Sequence, residues 1–202
     1  MNTIIRPERE TEHRTVETLI RDAFWDVYHP GCTEHLILHR LRKSPEFLPQ
    51  LSLVALDGDQ MIGHIAASRA KVIDTGGQVH EVLCLAPLSV HPDRQKQGLG
   101  GQLIRAVELK ARELGFNALV LFGHPAYYSR FGFRPTREWG ITLPGGDTMD
   151  EMMLLELFPG ALKGIHGEFH AAPCFDVTQE EADDFDRQFP CREKHVTDTQ
   201  LK

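Results

Sequence analysis

At 202 residues the chain has room for one domain with an appendage and for a sizeable buried core. Its formal net charge of -7 argues against bulk affinity for nucleic acid or an anionic membrane and points to a small-molecule partner, although Arg94 and Lys96 form a local basic cluster. No apolar run is long enough to span a bilayer, and the opening Met-Asn-Thr-Ile-Ile-Arg-Pro lacks a basic-then-apolar export pattern, so no membrane partner and a cytoplasmic address are expected. Cys32, Cys84, Cys174 and Cys191 form no Cys-x-x-Cys pair and are read as free thiols, with Cys84 in a buried strand.

Ile4 and Ile5 begin a first strand, and Val16, Leu19, Ile20, Ala23 and Phe24 recur at helical spacing on one face. Residues 25–32, closed by Pro30-Gly31, read as a loop before a second helix from about Thr33 to Lys43, which Pro45 limits. Leu51 to Leu56 and Met61 to Ile73 flank Asp57-Gly58-Asp59-Gln60 as a hairpin. A third long strand spans about Val79 to Val90. Pro87 cannot donate a ladder hydrogen bond, so that strand is expected to be irregular near its end.

A helix from about Gly98 to Leu114 follows, ended by Gly115, and Ala118 to Phe122 completes a strand-helix-strand unit. Pro125 opens a helical turn carrying Tyr128, and Met152 to Leu157 supplies a closing strand. These boundaries predict a domain over residues 1–157. Residues 158–202 read as a C-terminal extension, partly docked through Phe169, Phe175, Phe185 and Phe189, with the last dozen residues loose.

The chemistry concentrates where the third strand meets the long helix, in Leu88-Ser89-Val90-His91-Pro92-Asp93-Arg94-Gln95-Lys96-Gln97-Gly98-Leu99-Gly100-Gly101. A helix start leaves amides unpaired and carries partial positive charge, and glycines let a ligand's phosphates approach that backbone. Two other nucleotide motifs do not fit: Leu103 stands where a dinucleotide fingerprint needs glycine, and no Gly-Lys-Ser/Thr of a P-loop occurs. What remains is Gln95-x-x-Gly98-x-Gly100 after an apolar strand, with Tyr127-Tyr128-Ser129-Arg130-Phe131-Gly132-Phe133 downstream. In both segments and in their order the chain resembles the GCN5-related N-acetyltransferase (GNAT) family.

The resemblance follows element order from about Ile4 to Leu157, with its specific motifs between Leu88 and Phe133. It implies the acyl-CoA N-acyltransferase fold, a mixed α/β architecture whose central, mostly antiparallel sheet is splayed into a V by a bulge and flanked by helices. It also implies acetyl-CoA as cosubstrate, without a metal, and transfer of the acetyl group to a primary amine by direct attack in a ternary complex. Gln95, Lys96, Gln97, Gly98, Leu99, Gly100 and Gly101 would hold the pyrophosphate, and the strand edge Leu88, Ser89 and Val90 the pantetheine arm. A backbone N–H near Val90 would polarise the thioester carbonyl, and Tyr128 would protonate the leaving sulfur. The acceptor is a small amine or a protein amine, and family members often pair subunits, so a homodimer belongs to the same expectation.

The base has no motif. Glu81, on the strand leading to the pocket, is the carboxylate best placed for it, with a plain surface residue as the competing reading, and His80 and His124 are further candidates. His35 and His39 stand at i and i+4 but lack a third ligand, so they read as surface residues or as a border of the acceptor pocket rather than a metal pair. Trp25, Tyr28 and His29 are loop candidates for that pocket, with core packing the alternative for Trp25. Arg94 stands where the family often has an aromatic, and Gly123-His124-Pro125 replaces a segment that often bears asparagine. Two other functions compete: a non-catalytic acyl-CoA-binding or regulatory module, and a nucleotide-binding structural protein.

Overall fold

The central strands are apolar on both faces, as in Ala118-Leu119-Val120-Leu121-Phe122 and Met152-Met153-Leu154-Leu155, and each long helix carries one apolar stripe, so helices cover the sheet on both sides. In a computed structural model that describes residues 3–198 and 200, the sheet begins with β1 (Thr3–Pro7), β2 (Phe47–Asp57), β3 (Gln60–Ile73) and β4 (Val79–Leu85) as antiparallel neighbours. It continues through β6 (Ala118–Phe122), β9 (Met152–Glu156) and β7 (Arg134–Pro135). Along this path only β4 and β6 run parallel, because the helix between them returns the chain to the end where it started. The expected mixed α/β fold with a mostly antiparallel sheet is the one that forms.

Successive side chains of a strand point to opposite faces. On β3, Ile65 and Ala67 join the core beneath α3 (Leu99–Glu113), built from Leu99, Leu103, Ile104 and Val107. Ala66, on the opposite face, packs with Val16 and Ile20 of α1 (His13–Phe24) and Leu38 and Leu41 of α2 (Glu34–Leu41).

The strand expected from Val79 to Val90, with an irregularity near its end, divides at that place. β4 stops at Leu85, Ala86-Pro87-Leu88 interrupt the ladder, and β5 (Ser89–Val90) resumes it. β5 pairs with β3 through Gly63↔Val90 and His64↔Ser89, whereas β6 meets β4 only at Leu83 and Cys84. Among the described residues β5 pairs with β3 alone, so its other side is an open edge.

Residues after 157 add more order than their composition suggests. β10 (Gly167–His170) pairs antiparallel with the far end of β3 and parallel with β8 (Ile141–Thr142). α5 (Gln179–Asp186) begins with a capping box at Thr178 and Glu181 and sets Ala182 and Phe185 against Leu36 of α2. The tail then runs over the loop between α1 and α2. His195 and Thr197, among the residues expected to be loose, both hydrogen-bond Asp26.

Candidate active site

A cavity of about 870 Å³ opens beside Leu88 and Val90. The N-terminal end of α3 forms one side of it, α4 (Pro125–Tyr128) with the turn after it another, and the end of α1 with its following loop the third. Of the residues expected to bind a cofactor, Leu88, Val90, Gln95, Lys96, Gly98, Leu99, Gly100 and Gly101 line this space. Ser89 and Gln97 do not. Ser89 is buried on the other side of the strand, and the Gln97 amide donates to the Asp93 carbonyl at 3.1 Å.

Gly98 caps α3 with φ of 83°, a left-handed turn that suits glycine. The first intrahelical bond runs from Gln102 N to Gly98 O, so the amides of Leu99, Gly100 and Gly101 precede the helical ladder and form its unpaired N-terminal end. The glycines also answer to packing. A Cβ on Gly100 would run into the Tyr127 hydroxyl, and one on Gly101 would sit 2.9 Å from the Phe131 ring. Lys96 holds φ of 59°, so a cationic side chain occupies a left-handed position beside these amides.

The strand edge is settled by alternation. His91 N donates to Ile62 O, so in the antiparallel ladder Ser89 and His91 turn their peptide groups to β3 and Val90 turns its own to the open edge. The Val90 carbonyl accepts a 3.3 Å bond from the Gln95 side chain, which ties the edge to the glycine loop. Tyr128 also lines the cavity, its ring edge-on to Tyr127 and Phe133, and a Cβ on Gly123 would collide with it. Burial pushes the Tyr128 phenol well above the usual tyrosine range, so it is a proton donor at neutral pH. Among the described residues its hydroxyl has no hydrogen-bond partner.

Glu81, expected as the base, lies outside this cavity. Its carboxylate is half-exposed and ion-paired with Arg69 Nη1 at 2.6 Å on the neighbouring strand. His80 pairs with Asp74, and His124 is exposed at the start of α4. No carboxylate or imidazole lines the cavity among the described residues.

His35 is not a surface residue. It is fully buried between Phe185 and Phe189, with Nδ1 3.3 Å from Cys32 Sγ and Nε2 3.3 Å from Asp186 Oδ1. His39 meets Glu17 at 2.9 Å, so the two histidines serve helix packing. Trp25 is buried and donates to the Glu193 carbonyl, whereas Tyr28 reaches the cavity. Sequence reasoning did not single out Phe24, Val27, Tyr127, Arg105 or Arg130 as site residues, all of which line it. Arg105 lies one helical turn beyond Gly101, a spacing that could have revealed it.

Residues 49–135 match the family described as Acetyltransferase (GNAT) domain. Over 170 residues the chain is 32% identical to the uncharacterized N-acetyltransferase YhbS of Escherichia coli K12, covering 83% of this chain and 96% of that relative. The crystal structure of E. coli YhbS in complex with CoA matches the fold with a TM-score of 0.76 at 29% identity, over 88% of this chain and 93% of that one. A GNAT family acetyltransferase from Brucella melitensis in complex with acetyl-CoA matches with a TM-score of 0.70 at 30% identity, over 87% of this chain and 99% of that one.

Proposed function

The chain belongs to the GNAT acetyltransferase family, and from that premise we propose that it transfers the acetyl group of acetyl-CoA to an amine by direct attack in a ternary complex. The observation that carries this reading is the convergence, on one cavity, of the α3 amides, the open edge at Val90 and the Tyr128 phenol. The amides and Lys96 suit a pyrophosphate, and the Val90 carbonyl, which has a second lone pair beside its bond from Gln95, offers an acceptor to an amide-bearing arm. The CoA and acetyl-CoA bound by the two relatives support the same cosubstrate.

In the reaction, the amine nitrogen bonds to the acetyl carbon as the carbon–sulfur bond breaks. The Val90 N–H is assigned to the carbonyl oxygen, where negative charge builds, and the Tyr128 hydroxyl to the sulfur, which takes its proton. With no carboxylate or imidazole lining the cavity among the described residues, the amine arrives neutral, and its proton leaves through water. Glu81 is given no part in this step. The free thiols fit a cytoplasmic site of action.

Calorimetric titration with acetyl-CoA, CoA and ADP tests the cosubstrate. The wild type is expected to bind acetyl-CoA more tightly than ADP, and a folded Gly100→Glu variant to lose binding. A folded wild type that binds none of the three would overturn the assignment.

A further inference from the structure

We propose that the acceptor is a small molecule bearing a single amine on an apolar, aliphatic or aromatic body, rather than a polyamine or a lysine-rich peptide. This rests on the acetyl-transfer reading above. What carries it is the one-sided charge of the cavity. Its four cationic residues, Arg94, Lys96, Arg105 and Arg130, belong to the glycine loop, α3 and the turn after α4. The α1 side is formed by Ala23, Phe24, Val27 and Tyr28, and no acidic side chain lines any part of the cavity among the described residues.

The cations are where a polyanionic cosubstrate is expected, which leaves the α1 wall for the acceptor. A second or third ammonium group placed there would lose water without gaining a carboxylate, and would meet cations at the opposite end. An apolar body would instead cover Tyr28, an aromatic that is 47% exposed and packs on Phe24 with ring centroids 6.1 Å apart. The carboxylate that bears on Tyr28 electrostatically, Glu34, is folded back on the start of α2, where it accepts the Thr33 N–H at 3.0 Å.

The wall is formed in advance. Asp26, at φ of 60°, accepts the Gly31 N–H through Oδ1 at 2.7 Å and the His195 N–H through Oδ2 at 3.1 Å. Its carbonyl accepts the Thr197 hydroxyl, and Trp25 on its other side is tied to Glu193. Val27 and Tyr28 therefore extend from a clamped turn, and the surface they present does not have to be assembled by the acceptor.

The test measures CoA release by the full chain at saturating acetyl-CoA, with phenethylamine and hexylamine against spermidine and a lysine-rich peptide, at one pH and ionic strength. The apolar amines are expected to have kcat/KM roughly tenfold or more above spermidine. Tyr28→Ala should raise KM for phenethylamine by roughly tenfold while leaving acetyl-CoA affinity unchanged, and Tyr28→Glu should shift preference toward spermidine by a similar factor. Preference of the wild type for spermidine or the peptide overturns the inference, as does acetyl-CoA binding without turnover of either apolar amine. In both of those cases acetyl-CoA binding is intact, so they are distinct from failure of the cosubstrate assignment.

Discussion

Gly100 has no room for a β-carbon because the hydroxyl of Tyr127 occupies its place. The contact joins the start of α3 to α4, so one packing constraint positions the open amides and the segment that carries Tyr128. In an ordinary helix Gly→Ala stabilises, but here Gly100→Ala is expected to destabilise by about 1–3 kcal/mol and to weaken acetyl-CoA binding. Adding Tyr127→Phe, which removes the clashing oxygen, should recover part of both losses. Denaturant unfolding and calorimetry on the double-mutant cycle measure that coupling.

Lys96 couples charge to an unfavourable backbone conformation. Lys96→Gly relieves the left-handed position and should stabilise the fold by up to about 1 kcal/mol. The same change removes a cation from the cavity, so acetyl-CoA affinity should fall roughly fivefold and become less sensitive to salt. Melting temperature and calorimetry at two ionic strengths separate the effects.

Tyr128→Phe keeps the ring that packs on Phe133 and removes only the proton donor. The expected result is a fall in kcat of about a hundredfold with acetyl-CoA affinity within about twofold. Because burial raises the phenol pKa, the wild type should lose no activity through Tyr128 ionisation up to about pH 9. A pH–rate profile checks this.

His64 lies fully buried behind β5, with Nε2 3.0 Å from Ser52 Oγ and 3.7 Å from Glu8 Oε2, and Glu8 is held in turn by Arg42. Burial lowers its pKa from 6.5 to about 4, against the pull of Glu8 and with that of Arg42. Between these values the unfolded chain binds a proton that the folded chain refuses. The stability His64 confers is therefore complete above about pH 6.5 and declines as pH falls toward 4, by on the order of 3 kcal/mol. Unfolding free energies over this range should drop less steeply in His64→Asn than in the wild type.

Truncation after Phe189 removes Glu193, His195 and Thr197, and with them the ties to Trp25 and Asp26. Amide exchange is expected to rise over residues 26–33, while acetyl-CoA affinity stays within about twofold because the glycine loop is built from other elements. Hydrogen-exchange mass spectrometry and calorimetry on the same variant test both parts.

The readable parts of this protein are those whose physics is local. Unpaired amides at Leu99 to Gly101 follow from a helix beginning there, and the break before β5 follows from Pro87 lacking an N–H. The order of the Gly98–Gly101 and Tyr127–Phe133 segments was enough to indicate the family and its fold. The face a side chain presents, and what covers it, depends on segments distant in the chain. Glu81 looked suited to be a base until its strand turned it toward Arg69 and away from the cavity. His35 looked like a surface residue because the Phe185 and Phe189 rings that bury it come from about 150 residues later, beyond any local periodicity. The clamped turn that presents Val27 and Tyr28 likewise needed the tail to return to Asp26. Local chain chemistry places hydrogen-bonding groups at a helix start and a strand edge, whereas long-range packing selects which side chains share their cavity, because it alone sets which surfaces lose water.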